Sequence, residues 1–293
     1  MTAAAKLWDT HTLLAVPPSP LGASSAPSSS SSSPPPSADP NALIILNSPL
    51  PPQPLFRKLW SAASVRYCAD GGANRLYERF VKGKARAREE DDADAWDEEV
   101  DGREENWLPD LVLGDLDSLR PDVRAYYEAK GVRVEHDPDE YSTDLGKNVA
   151  RLSSHEKTTG QPHQLVVIGG LSGRLDQTVH TLHALWVLAE KEGRERVWVV
   201  GRESAAMVLG RGKHHLRIDL STFGKTCGIL PLGTNEAYVT TTGLEWDLGP
   251  TAYMYPSSLA TAVSTSNHLV QEDVTVETDV PVVWTMEVRG GAE

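Results

Sequence analysis

Leu165-Val166-Val167-Ile168-Gly169-Gly170-Leu171-Ser172-Gly173-Arg174 sets a four-residue apolar run against a glycine-rich turn, and the turn opens onto a helical stretch over 174–192 that Gly193 stops. A short aliphatic strand, a tight turn and a helix make one step of an α/β fold, because a strand buried on both faces reads as a continuous apolar run. The same step repeats upstream. Apolar runs at 42–46, 65–69, 111–113 and 132–134 alternate with helical stretches at 55–63, 73–80, 121–130 and 143–153, and one more strand follows at 197–200. Beyond residue 205 the texture changes to short β-rich runs, at 227–232, 237–240, 262–265, 274–277 and 282–285, separated by Gly, Pro, Asn and Asp. The expected architecture is α/β: an N-terminal, mostly parallel sheet with helices on both faces over 41–205, followed by a C-terminal all-β sandwich over 206–293.

Two stretches fall outside this pattern. Residues 17–40 are almost entirely Pro, Ser and Ala, too poor in apolar surface to offset the entropy of ordering. A disordered arm is therefore expected over 1–40, with order beginning at Asn41. Within the first domain, 82–106 starts with Lys82, Lys84, Arg86 and Arg88 and passes into the acidic run Glu89-Glu90-Asp91-Asp92. Such charge blocks are solvated insertions, and no catalytic role is expected there.

Bulk properties exclude several classes. The chain of 293 residues carries 28 basic and 41 acidic side chains, a net charge of −13. Such a field disfavours nucleic acid and anionic membranes. The two cysteines, Cys68 and Cys227, form no CxxC or Cys/His cluster, so zinc is not expected. The first sixteen residues lack the form of a secretory signal, and no run approaches the roughly 18–20 apolar residues of a membrane span. A cytoplasmic location is expected.

In open α/β sheets, ligands bind beyond the carboxyl ends of the strands. There the sequence places Asp70 after the second strand and Asp115 and Asp117 after the third. Asp144 and Lys147 open the helix after the fourth, and Arg174 and Asp176 follow the fifth. Two neighbouring carboxylates repel by about 1 kcal/mol in water and several times more near a protein surface. A divalent cation removes that cost, and Mg²⁺, which prefers one or two carboxylates together with substrate phosphates, suits the pattern. The competing interpretation is that Asp117 or Ser118 merely caps the helix that begins near Pro121. The glycine turn at 169–173 can receive phosphate oxygens on its backbone N–H groups, and Arg174 adds a planar donor fork. Gly224-Lys225-Thr226 is a decoy: the earlier glycine of a P-loop would fall at Asp219, and no helix is expected to follow.

Taken together, Asp70-Gly71-Gly72-Ala73-Asn74, Gly114-Asp115-Leu116-Asp117-Ser118, Ser142-Thr143-Asp144-Leu145-Gly146-Lys147, Gly169-Gly170 with Gly173-Arg174-Leu175-Asp176, Thr242-Gly243-Leu244-Glu245-Trp246 and Val263-Ser264-Thr265-Ser266-Asn267 resemble the thiamine pyrophosphokinase family in order and number. The likeness spans about residues 41–290. It implies a homodimer with active sites at the subunit interface, and transfer of pyrophosphate from ATP to thiamine with release of AMP. Under it, Mg²⁺ falls to Asp115, Asp117 and Asp144, with Asp70 completing the site directly or through water. Lys147 and Arg174 neutralise the phosphate chain. Asp176 either orients Arg174 or accepts the hydroxyl proton. Gly71, Gly72, Asn74, Gly169 and Gly170 fall in the segments that bind the nucleotide. Trp246 is expected to stack on a thiamine ring, and Ser266 and Asn267 to hydrogen-bond its aminopyrimidine edge. Two rivals remain: a pyrophosphokinase for another heterocyclic alcohol, such as a pterin, and a non-catalytic thiamine or nucleotide sensor.

Overall fold

Strands β2 (Asn41–Ile45) and β6 (Gln164–Ile168) lie side by side in parallel register, Ala42 opposite Leu165 and Ile45 opposite Ile168, and both are buried almost throughout. The computed structural model that shows this describes residues 5–16, 39–82, 107–194, 196–233, 237–249 and 264–290. From β2 the sheet grows outward in parallel through β3 (Ala63–Ala69), β4 (Leu111–Gly114) and β5 (Arg133–His136). On the other side of β6 lies β7 (Val197–Val200), again parallel. The chain thus runs outward from β2 to one edge and returns beside it, so the order reverses between β2 and β6. That reversal opens a crevice at the carboxyl ends of the two strands.

Helices cover both faces, as expected. On one face, α2 (Gln53–Ala62) starts at a proline, which fits the first turn because its missing N–H is not needed there. It buries Leu55, Phe56, Leu59 and Trp60, a stripe at helical spacing. Phe56 and Trp60 join Phe80 and Trp107 in an aromatic cluster, with Phe80 and Trp107 stacked at 3.9 Å. The same core takes residues of α3 (Gly72–Tyr77) and α4 (Pro121–Ala129). On the other face, α5 (Asp144–Thr159) and α6 (Leu175–Glu190) pack Leu145, Val149, Leu152, Leu185 and Leu188 against Ile44, Tyr67, Leu113 and Val167.

The β-rich half shares this sheet. After β7 the chain turns back into β8 (Ser204–Leu209), pairing antiparallel with Val200 opposite Ala205. Strands β14 (Val282–Val288), β10 (Phe223–Leu230) and β12 (Ser264–His268) extend it to ten strands. A second sheet of four strands, β1 (Lys6–Asp9), β9 (Gly212–Arg217), β13 (Asp273–Thr278) and β11 (Val239–Thr242), completes the sandwich. Its Leu216, Val274 and Val276 share one core with Met207, Trp284 and Met286 of the large sheet. The expected division at 205/206 thus falls within β8, a strand of the shared sheet.

Order also begins before Asn41, contrary to expectation for residues 5–16. Strand β1 pairs in parallel with β9, and a short α1 (Thr10–Leu13) follows. Trp8, 4% exposed, donates from Nε1 to Nδ1 of His214 and meets Trp198 edge-on at 5.6 Å. Leu13 is fully buried, and its carbonyl accepts from the Asn41 side chain. Trp8 and Leu13 anchor the segment, and the partly buried Leu14 packs against the same core. Most of the proposed arm and nearly all of the insertion at 82–106 lie outside the described residues.

Candidate active site

Three carboxylates converge beyond the ends of β3 and β4. Asp70 follows β3 with a left-handed backbone, φ +45°; Asp115 follows β4; Asp144 is the first residue of α5. Each offers one oxygen, and the three atoms lie within 4.8 Å of one another. The cap of α5 is Thr143, whose side chain accepts from the Gly146 N–H. Asn148, fully buried one turn into α5, donates from Nδ2 to the carbonyls of Leu113 and Asp144 and so ties the helix to the end of β4.

The charge at this point is only partly offset. Lys147 lies with its side chain 2% exposed, 3.6 Å from Asp144 and 3.9 Å from Asp115. Asp70 accepts the Ser118 N–H at 3.0 Å through Oδ2, but its Oδ1 is buried without a hydrogen-bond partner, as is Oδ1 of Asp144. Burial, seconded by the neighbouring acids, raises the Asp70 pKa against the Ser118 hydrogen bond. Burial and then Asp115 raise that of Asp144 against Lys147. Carboxylate oxygens that share one point and make no hydrogen bond fit a hard divalent cation with oxygen ligands, Mg²⁺ among them.

Asp117 stands apart from this trio. Leu116 adopts φ +62°, and Asp117 is exposed, its Oδ1 accepting from the Ser118 hydroxyl. Nor is α4 capped by Asp117 or Ser118, since Arg120 holds the cap position without a side-chain hydrogen bond. Asn74 braces the loop instead. Its Nδ2 donates to the Ser118 carbonyl and its Oδ1 accepts the Arg120 N–H.

At the neighbouring β2–β6 crevice, Gly169 has φ +94°, and a Cβ there would lie 2.6 Å from the Ser48 Cβ. The hydroxyls of Ser48 and Ser172 face each other at 3.5 Å. Gly71 and Gly72 open α3 beside this crevice, packed against Asn47 and the Ile45 carbonyl. Gly170 lies against Thr181. Arg174, at the start of α6, and Asp176 form a two-point pair at 3.1 and 2.5 Å in full solvent contact. Their hydrogen bond raises the Arg174 pKa and lowers that of Asp176. His180 Nε2 reaches the Thr143 hydroxyl at 3.4 Å, linking α6 to the cap of α5. Ser48 and His180 are not singled out by the sequence. Ser48 gains its position only from the strand order, and His180 only from the packing of two helices.

Trp246, Ser266 and Asn267 meet in the β-rich half. Trp246 is 55% exposed, so it is not a core tryptophan. Its ring lies 5.4 Å from that of His268, whose Nδ1 is 2.7 Å from Glu245. Ser266, with φ +55°, lines a pocket of about 370 Å³ together with Thr226, Cys227, Thr285, Met286 and Glu287. Among the described residues no hydrogen bond or ion pair joins these three residues to the carboxylate trio.

Comparison with known proteins points one way. The profile of the thiamin pyrophosphokinase catalytic domain matches residues 56–197, and that of the thiamin pyrophosphokinase vitamin B1 binding domain matches 213–283. Thiamine pyrophosphokinase 3 of Oryza sativa subsp. japonica is 33% identical, covering 85% of this chain and 87% of its own. Thiamine pyrophosphokinase 1 of Arabidopsis thaliana is 32% identical, covering 85% and 86%. Among solved structures, the thiamin pyrophosphokinase of Candida albicans superposes with a TM-score of 0.73 at 21% identity, over 98% of this chain and 95% of that one. The yeast thiamin pyrophosphokinase gives 0.73 at 23%, over 98% and 92%. At those identities the structural likeness speaks for the fold.

Proposed function

Because the chain belongs to the thiamin pyrophosphokinase family, we propose that its diphosphate transfer takes place over the Asp70–Asp115–Asp144 trio, with Mg²⁺ held there. The protein is an ATP-dependent diphosphokinase that makes thiamine diphosphate. The observation that supports the placement is the convergence of three acids, two of which bury an oxygen that makes no hydrogen bond.

When bound, the cation neutralises the phosphate chain of ATP. The remaining work is positioning by this chain's own groups. Lys147, held beneath the trio, offers a fixed positive charge from one side. Arg174 stands at the mouth of the β2–β6 crevice with a donor fork for phosphate oxygens, and the glycine turn at 169–173 brings backbone N–H groups to the same place. Asp176 spends both oxygens on Arg174, which favours the role of orienting that fork over accepting the hydroxyl proton. Asp117 is left to the rim, and Asn74 to bracing the loop.

Thiamine is proposed to lie on the Trp246 ring, since an exposed indole attracts a flat cationic heterocycle. Ser266 lines a pocket in the same β-rich half and is proposed to meet the pyrimidine edge from there. The separation of this platform from the trio supports a homodimer whose sites join the catalytic half of one subunit to the β-rich half of its partner. The exposed Leu175 and Val179 of α6 offer an apolar patch for such a contact. No helix among the described residues is long and apolar enough to cross a membrane, and Cys68 and Cys227 are free and buried, which suits the reduced cytoplasm we propose.

The test is direct. Purified protein with ATP, Mg²⁺ and thiamine should yield AMP and thiamine diphosphate in equal amounts. Release of ADP would overturn the diphosphate-transfer mechanism, and conversion of a pterin alcohol in preference to thiamine would overturn the assignment of the Trp246 platform.

A further inference from the structure

Asn267 is 2% exposed and lies directly behind the Trp246 platform. A side-chain amide can donate twice and accept twice. Here Oδ1 accepts the Trp246 N–H at 3.2 Å and the His268 N–H at 2.8 Å. Nδ2 donates to the Trp246 carbonyl at 2.8 Å and to the Ser264 hydroxyl at 3.3 Å. All four positions are taken by the protein, and two of them hold the main chain of Trp246 on both sides. Nothing remains to meet an aminopyrimidine.

The surrounding turn explains why the clamp is needed. Asp247 accepts from Thr241, Gly243 and Leu244, and Leu248 donates to Thr241, so the turn is pinned on either side of Trp246. Trp246 itself has its backbone held by Asn267. Asn267 in turn is fixed in register, opposite Cys227, while a bulge in the β10–β12 pairing leaves Ser266 in a left-handed conformation at the pocket.

We propose that Asn267 is a positioning residue: it sets the angle of the exposed Trp246 indole through that residue's peptide groups and acts on thiamine through Trp246 alone. The inference rests on the assignment of Trp246 as the thiamine platform. It predicts non-additivity, because a clamp has nothing left to position once the indole is gone.

The experiment uses the full chain in four forms: unaltered, Asn267→Ala, Trp246→Ala and the double variant. Steady-state constants are measured for ATP, for thiamine and for oxythiamine, in which an oxo group replaces the pyrimidine amino group. Asn267→Ala should raise the thiamine KM about 10-fold, the loss of one to two hydrogen bonds' worth of positioning, with the ATP KM within about 2-fold of the unaltered protein. The double variant should match Trp246→Ala, and the thiamine-to-oxythiamine preference should survive in Asn267→Ala. Multiplied effects in the double variant, or a lost preference for the amino group, would show that Asn267 touches the substrate, and the positioning role would fall. If Trp246→Ala leaves the thiamine KM unchanged, the platform assignment itself falls and takes the clamp with it. Should Asn267→Ala not fold, Asn267→Asp keeps the acceptor for both N–H groups and replaces the donor with an oxygen that repels the Trp246 carbonyl. The same non-additivity is expected from it, and its absence counts equally against the proposal.

Discussion

Gly114 and Asp70 are so close that a Cβ on Gly114 would lie 2.6 Å from the Asp70 Cβ, and 2.9 Å from Oδ1 of Asp144. The convergence of acids from two strands and a helix depends on the missing side chain between them. Gly114→Ala should cost about 1–3 kcal/mol of stability by overpacking and push the trio apart. Thermal unfolding should show the loss, and turnover should fall far more than the melt alone explains. Full activity in this variant would mean that the trio is not the reacting centre.

Asp115→Asn and Asp117→Asn separate the convergent trio from the spacing pattern. Asp115 belongs to the cluster and Asp117 does not. The first change should reduce turnover at least about 100-fold and abolish any rise in melting temperature on adding Mg²⁺, while relieving like-charge repulsion in the metal-free protein. The second should cost less than about 10-fold. The reverse order would return the metal to the Asp115/Asp117 pair.

Lys147 is buried between two carboxylates, so its removal strands them. Lys147→Met should lower stability by about 1–3 kcal/mol without metal, less than for a fully buried pair because solvent reaches both carboxylates. Added Mg²⁺ should recover more stability in the variant than in the unaltered protein. Equal stabilisation of both would show that Lys147 and the cation do not share the same charges.

Complementation tests the interfacial arrangement. Asp115→Asn lacks the trio and Trp246→Ala lacks the platform. If each site draws one element from each subunit, co-expressed or reassociated variants should recover about one quarter of full activity at low thiamine, since half the dimers are mixed and each mixed dimer has one intact site. Two variants that stay inactive together, with mixed dimers shown to form, would place both elements in one chain.

Glu156 gives a pH dependence away from the site. Burial alone would raise its pKa, but the Arg194 fork and charge, with the His163 N–H, outweigh burial and hold it below the ordinary value. A depressed folded pKa adds stability above the unfolded value, near 4.5 for a glutamate. That stability is lost as pH falls through the lower folded value. Glu156→Gln should be less stable than the unaltered protein at pH 7, and the gap should narrow steadily below pH of about 4. A gap independent of pH would show that the pair contributes through packing.

The strand ends are legible in the sequence because an aliphatic run followed by Asp and Gly marks both the end of a buried strand and the residue standing beyond it; Asp70 and Asp115 are found that way. Asp144 and Lys147 follow from their place at a helix start. What the pattern does not carry is backbone handedness. Asp115 and Asp117 look like a pair by spacing, yet Leu116 at φ +62° turns the second outward, and Asp70 takes its place. Asn267 is a related case: the sequence shows an amide in a segment expected to face a ligand, but not that the protein takes all four of its hydrogen-bond positions. Strand β9 reads Gly-Lys-His-His-Leu-Arg, too polar to stand out, and β1 pairs with it across some two hundred residues, a distance no local periodicity spans.

That pairing has a practical side. Strand β1 covers the flank of β9 that would otherwise present a row of unpaired N–H and C=O groups to solvent. Trimming the protein back to Asn41, a tempting choice given the Ser/Pro stretch before it, would bare that flank and uncover the hollow left by Trp8. Such a shortened chain should self-associate edge to edge and precipitate on storage, even with every group of the carboxylate trio in place.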